Sequence, residues 1–296
     1  MSEVSISGQP VILFAEECDR GILRKENQNS VLHVHIALGD LLIVADGVGD
    51  EGGATASRMV VEEFYTHLAA LPRDYPVRNA IREAIARTNE KILAAAKAPD
   101  APYTRMGSTV VLALIQQEAA GTNAWIGHIG DSRAYLVRAG RMQCLTIDHS
   151  AAQVLLSRNL ITPEEAQHHP DSTVLTRSLG HQPEVEIDIE ELPLASGDTL
   201  LLCSDGLWGF VPERDIHRMA ETLDLTVEAA AHNLLELALA AGGHDNVGIE
   251  MARLIPPPDA PPPRSENYLA LKIVMTMLLI AVAAVCVLAY LTFWYY

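Results

Sequence analysis

Leu41-Leu42-Ile43-Val44-Ala45-Asp46-Gly47-Val48-Gly49 carries the first decision about this chain. Its five opening residues are apolar without alternation, which suits a central strand buried on both faces rather than one with a wet side. A carboxylate and a glycine follow at once. Thr199-Leu200-Leu201-Leu202-Cys203 repeats the design and runs through Ser204 into Asp205-Gly206. Asp-Gly is an ordinary turn pair, so either aspartate alone reads more readily as a turn residue. Asp131, after Ile129-Gly130, and Asp245, after Gly242-Gly243-His244, make four such positions. Carboxylates gathered at one sheet end would repel and raise each other's pKa unless a cation sits among them. Asp46, Asp205 and Asp245 offer hard oxygen ligands, a donor set that selects Mg²⁺ or Mn²⁺ over zinc.

Working outward, Ser108 to Gln116 and Asn123 to Ile129 read as further strands, and Ala134 to Arg141 as a hairpin continuing from them. Thr55 to Leu71 places Met59, Val60, Phe64, Leu68 and Leu71 on one helical face, and Val77 to Ala96 repeats that spacing. Thr226 to Ala241 is a third long helix, stopped by Gly242-Gly243. Strands grouped apart from long helices predict α+β layers rather than a doubly wound parallel sheet.

The chain has 296 residues, 49% hydrophobic and 20% charged, which is globular and long enough for a sizeable core. A formal net charge of -17 excludes nucleic acid as a partner, since the duplex would be repelled. Any phosphate must then be met by a placed arginine or a bound cation. Cys18, Cys144, Cys203 and Cys286 show no CxxC pair, so neither a disulfide framework nor a zinc site is expected, and a reducing compartment fits. Met1 to Pro10 lacks an apolar core with a basic flank and is no secretory signal.

Residues 1–254 are expected to form the catalytic domain and 255–268 a proline-rich, extended spacer. Residues 269–296 are expected to form a membrane anchor. Ile273 to Phe293 runs about 21 residues without a charge, enough to span the bilayer. Arg264 and Lys272 precede it and Trp294, Tyr295 and Tyr296 follow as an aromatic belt, the marks of a single-pass tail anchor with the domain on the cytoplasmic side. A buried core helix is the alternative, and Cys286 within it is a candidate for lipidation or merely a small lipid-facing residue.

No rival nucleophile is visible: there is no GxSxG elbow, no cysteine with a phosphate-cradling loop, and no GxxxxGK[ST]. Seven motifs stand in order: Arg24-Lys25-Glu26-Asn27-Gln28-Asn29-Ser30, Val44-Ala45-Asp46-Gly47-Val48-Gly49, Met106-Gly107-Ser108-Thr109, Gly130-Asp131-Ser132-Arg133-Ala134-Tyr135, Leu175-Thr176-Arg177-Ser178-Leu179-Gly180, Ser204-Asp205-Gly206-Leu207 and Asp245-Asn246. Together they resemble the metal-dependent serine/threonine phosphatases of the PPM (type 2C) family, in a bacterial style, over about Val11 to Leu254.

The resemblance implies a four-layer α-β-β-α sandwich of two antiparallel sheets flanked by helices. It implies hydrolysis of phosphoserine and phosphothreonine by water activated at a binuclear Mg²⁺ or Mn²⁺ site, with a third, weaker cation in some members. Asp46 would bridge both metals, Gly47 would add its carbonyl, and Asp205 and Asp245 would complete the first metal's ligands. Asp131, with Asp205, would hold the third ion, and Arg24 would grip the substrate phosphate, a bidentate role suited to guanidinium. His149 to Pro170 would be a flap beside the site, with His168 and His169 facing solvent. Implied partners are phosphorylated proteins, among them a Ser/Thr kinase and its substrates, with membrane lipid met through the terminal helix.

Two positions depart from the pattern. Asn29 stands where the family has an aspartate that helps hold the second metal through water; an amide oxygen still accepts a hydrogen bond but removes a negative charge. Asp50, followed by Glu51, stands where a glycine is usual, and either restores a nearby carboxylate or marks a shifted turn. These departures leave a second reading, a weakened or inactive phosphoprotein-binding module of the same fold, and a third, a bare cation-stabilised scaffold.

Overall fold

The two apolar runs become central strands of two different sheets. The computed structural model describes residues 9–49, 52–98, 101–103, 105–167, 169–257 and 277. In chain order the strands are β1 (Val11–Asp19), β2 (Asn29–Ile36), β3 (Gly39–Val48), β4 (Gly107–Ser108), β5 (Val110–Glu118), β6 (Gly121–Ile129), β7 (Arg133–Arg138), β8 (Arg141–Cys144), β9 (Asp188–Leu194), β10 (Thr199–Cys203) and β11 (Val247–Ile255). The helices are α1 (Gly53–Ala69), α2 (Val77–Lys97), α3 (Ala151–Ser157), α4 (Pro163–Gln167), α5 (Asp205–Trp208), α6 (Glu213–Glu221) and α7 (Val227–Ala240).

One sheet runs β1-β11-β10-β7-β8 and the other β2-β3-β5-β6-β9, with the short β4 paired to β3. Every pairing is antiparallel. The period-two alternation of a strand sorts the β3 run between two cores. Leu41, Ile43 and Ala45 pack outward against Phe64 and Leu68 of α1 and Ile81 and Ile85 of α2. Leu42 and Val44 point inward, where they meet Leu200, Leu202 and Ala252 of the facing sheet. On the far side, Leu201 and Ile249 lie under Leu234 and Ala231 of α7. The result is the expected α-β-β-α layering. Each fully buried Leu or Ile contributes roughly 1.5–3 kcal/mol against exposure.

Two anticipated details differ. Asp46 is not past the end of its strand, because β3 carries on to Val48 through a two-residue pairing with β4. Asp205 does not occupy a turn either; it opens the single helical turn α5. In both cases the following glycine answers to crowding. A side chain at Gly47 would collide with the backbone of Gly53 at the start of α1, and one at Gly206 with the carbonyl of Asn246.

The chain divides into two units, Met1–Pro257 and Pro258–Tyr296. Among the described residues no helix is long and apolar enough to cross a membrane. The run Ile273 to Phe293, apart from Met277, lies outside those residues, as do Cys286, Asp50, Glu51 and His168. His169 is described, and its Nδ1 accepts the Asp171 amide at 3.1 Å.

Candidate metal centre and substrate cleft

Alternation carries the inward-facing series of β3 from Leu42 and Val44 to Asp46, at the mouth between the sheets. Three backbone and side-chain bonds fix that residue. Thr109 N donates to Asp46 O at 2.8 Å, Ser108 Oγ donates to the same carbonyl at 3.0 Å, and Asp46 N donates to Thr109 Oγ1 at 3.1 Å. Asp205 arrives from the opposite sheet at the end of β10, and Asp245 from the loop entering β11. Asp131 comes from the loop between β6 and β7, its carbonyl accepting Trp208 Nε1 at 3.0 Å. All four carboxylates line one cleft of about 890 Å³, with Gly47 and Arg24 on its wall.

The electrostatics are those of like charges brought together out of water. Burial first, then Asp205 and Asp131, push the Asp46 carboxyl well above the usual range. Burial and Asp245 push Asp205 up to about 6. Asp131 is raised by burial and by Asp205. Arg24 pairs directly with this cluster: its Nη2 donates to Asp245 Oδ2 at 2.6 Å with half of its side chain exposed. That pairing holds Arg24 firmly in its charged form.

The residues present fit divalent cations. Asp205 Oδ1 and Asn29 Oδ1 are buried and lack any hydrogen-bond partner, an expensive condition for a carboxylate or amide oxygen. A hard cation, or water held by one, is the partner such oxygens need.

Asn29 pairs directly with Asp46 in the β2–β3 register, which puts both side chains on the same sheet face. Its Nδ2 donates to Ser204 Oγ at 2.8 Å, and that hydroxyl oxygen also accepts Gly248 N at 2.9 Å. Asn29 therefore does not line the cleft. Gln28, its neighbour, does; Gly47 N donates to Gln28 O at 3.0 Å and Gln28 Nε2 to Gly49 O at 3.1 Å.

Sequence reading places Asn246 within the Asp245-Asn246 motif and gives it no role. It is buried, and its Nδ2 donates to Arg20 O at 2.7 Å and Glu26 O at 3.0 Å while its Oδ1 accepts Gln28 N at 2.9 Å. One amide thus clamps the whole loop that carries Arg24 onto the loop that carries Asp245. Ile22 N adds a bond to Gly243 O at 2.9 Å. The adjacent Asp245-Asn246 pair was the available signal, but nothing local to it names the partner loop.

His128, His149 and Asp188 form a second cluster beside the site. Gly130 N donates to His149 Nδ1 at 3.1 Å, which leaves the proton on Nε2 to meet Asp188 Oδ2 at 3.1 Å. His128 Nε2 donates to Ile147 O at 2.9 Å. Both His149 nitrogens are engaged, so the cluster braces the turn before Asp131. Burial and the adjacent His128 lower the His149 pKa to about 4.

Two antiparallel sheets thus face each other, and acidic side chains from both meet at one mouth with an arginine at the rim. The chain belongs to the protein phosphatase 2C family, whose pattern matches residues 24–240. It is 36% identical over 250 residues to the serine/threonine protein phosphatase PstP of Mycobacterium tuberculosis, a match covering 83% of this chain and 45% of that protein. The chain thus spans about half the length of that relative. It is 35% identical over 243 residues to the protein phosphatase PhpP of Streptococcus pneumoniae, covering 80% of this chain and 95% of PhpP. Among solved structures, the catalytic domain of PstP in complex with two manganese ions superposes with a TM-score of 0.70 at 33% identity, covering 83% of this chain and 99% of that one.

Proposed function

We propose that this chain removes phosphate from phosphoserine and phosphothreonine in proteins. The observation that carries the reading is the meeting of Asp46, Asp131, Asp205 and Asp245 beside Arg24, with an unpartnered buried oxygen on Asp205. Mn²⁺ or Mg²⁺ bound there, two ions with a third weaker one, would supply an activated water and charge neutralisation at the phosphoryl group. The four carboxylates would hold the cations, with the Gly47 carbonyl beside Asp46, and would give up their protons on loading. Arg24 would hold the substrate's phosphoryl oxygens, a task that requires it to leave or share Asp245. Asn29 would stand behind Asp46 and accept a hydrogen bond through Oδ1, with one negative charge fewer than an aspartate.

Turnover of a phosphoserine peptide by the full chain in Mn²⁺, compared with the Asp205→Ala variant, tests the reading. Loss of turnover in the variant is expected. Equal rates would contradict catalysis, and peptide binding without turnover by the unaltered chain would favour the regulatory module.

We further propose that residues 273–293 hold the domain at the cytoplasmic face of a membrane, near a Ser/Thr kinase and its targets. The charge-free apolar run and the preceding Arg264 and Lys272 support this. Deleting residues 256–296 is expected to move the protein from the membrane to the supernatant with unchanged turnover of p-nitrophenyl phosphate. A chain that stays in the supernatant before deletion would count against the tether.

A further inference from the structure

A second groove, of about 360 Å³, opens beside the metal cleft and shares Thr173, Asp205 and Asp245 with it. One wall is the flap, contributing Ala152 and Leu156 of α3 and Ala166 of α4; the other is Trp208 and Phe210. At its floor Arg133 lies 3.5 Å over the Trp208 ring and is spent on its own partners. It bonds Asp148 through Nε at 3.0 Å and Nη2 at 2.8 Å, and Tyr135 Oη through Nη1 at 3.1 Å. Phe210 stays 40% exposed, its ring stacked on His244, the residue before Asp245.

Resting on the phosphatase reading above, we propose that this groove is a specificity subsite taking an apolar side chain next to the phosphorylated residue of the substrate polypeptide. Continuity settles the occupant. A chain whose phosphate reaches Asp205 and Asp245 has its neighbouring residues at the shared edge of the two cavities. Charge settles the chemistry. An acidic side chain would meet the shared aspartates and an arginine already paired, losing its hydration without a replacement. A Leu or Met would instead cover Phe210, Trp208 and Leu156, which removes apolar surface from water on both partners.

The test uses the full chain with Mn²⁺ and two series of phosphoserine peptides, with Leu or Asp at single flanking positions on either side of the phosphoserine. Binding is read in parallel by fluorescence anisotropy of the labelled peptides. At one flanking position the Leu peptide should exceed the Asp peptide by on the order of tenfold in kcat/KM and in affinity. Phe210→Ala, and independently Leu156→Asp on the facing wall, should bring that ratio close to one. No preference in the unaltered chain, or a preference that survives both substitutions, would overturn the subsite. Absence of all turnover, including that of p-nitrophenyl phosphate, would sink the phosphatase reading, while the anisotropy ratios would still decide the groove.

Discussion

Arg24 Nη2 rests on Asp245 Oδ2 at 2.6 Å, so the group proposed to grip phosphate is held by a carboxylate proposed to bind metal. A cation held by Asp245 and the Arg24 guanidinium would therefore compete for the same carboxylate.

Removing Arg24 should therefore split the two affinities in opposite directions. In Arg24→Ala the half-saturating Mn²⁺ concentration should fall, because a competing cation is gone. At the same time KM for a phosphopeptide should rise by on the order of tenfold or more, as expected for loss of a charge-assisted contact. Metal titration by calorimetry and steady-state kinetics read the two effects separately.

Asn29→Asp should tighten metal binding. The new carboxylate would stand on the same face as Asp46 and add the missing charge, and effects of supporting residues on metal affinity run roughly 10–100-fold. The Ser204 hydroxyl, now accepting from Asn29 Nδ2 and donating to Asn246 O at 3.4 Å, can turn its proton from that carbonyl to the new carboxylate. Mn²⁺ titration of activity and of binding should both shift toward lower concentration.

Asn246→Ala should free the loop from Arg20 to Gln28. Two carbonyls and one amide lose their partner, and each buried group left unpaired costs about 1–3 kcal/mol. The expected outcome is a lower Tm together with a raised KM, since Arg24 loses its position.

These residues show why the site was legible only in part. Asp46, Asp131 and Asp205 announced themselves because each stands beside a glycine, and Asp245 because it follows Gly242-Gly243-His244; the glycines are forced by backbone contact at Gly47 and Gly206. Asn246 and Gln28 bond across 218 positions of sequence, the Asn246 side-chain oxygen meeting a Gln28 backbone N–H that carries no side-chain signature. Among the elements, β3 and β10 were readable as unbroken apolar runs, as were the helical faces of α1, α2 and α7. β1 was not: it is an edge strand, with Glu16 and Glu17 in its middle and its exposure alternating. β11 was hidden by charged residues that the fold buries. Arg253 caps carbonyls, donating through Nη1 to Leu225 O at 2.6 Å and through Nη2 to Ala220 O at 3.2 Å.

Glu250, the other buried charge of β11, yields a prediction in pH. It is 0% exposed, both its oxygens lack partners, and it sits opposite Glu16. Burial, then Glu16, push its pKa up to about 10 from an ordinary 4.5. The folded chain keeps this proton while the unfolded chain releases it, so stability is lost as pH rises from about 4.5 toward 10. Glu250→Met should remove that slope and raise stability at pH 7 by on the order of 3 kcal/mol. The gain should shrink toward pH 4.5. Thermal melts at pH 5, 7 and 9 check it.

The direct test of the shared-cation account is the stoichiometry of Mn²⁺ binding, measured by isothermal titration calorimetry on the full chain and on Asp46→Asn. The account predicts two ions bound to the unaltered chain and the loss of both from the variant, because Asp46 would serve as a ligand to each. An unchanged stoichiometry and affinity in Asp46→Asn would contradict it.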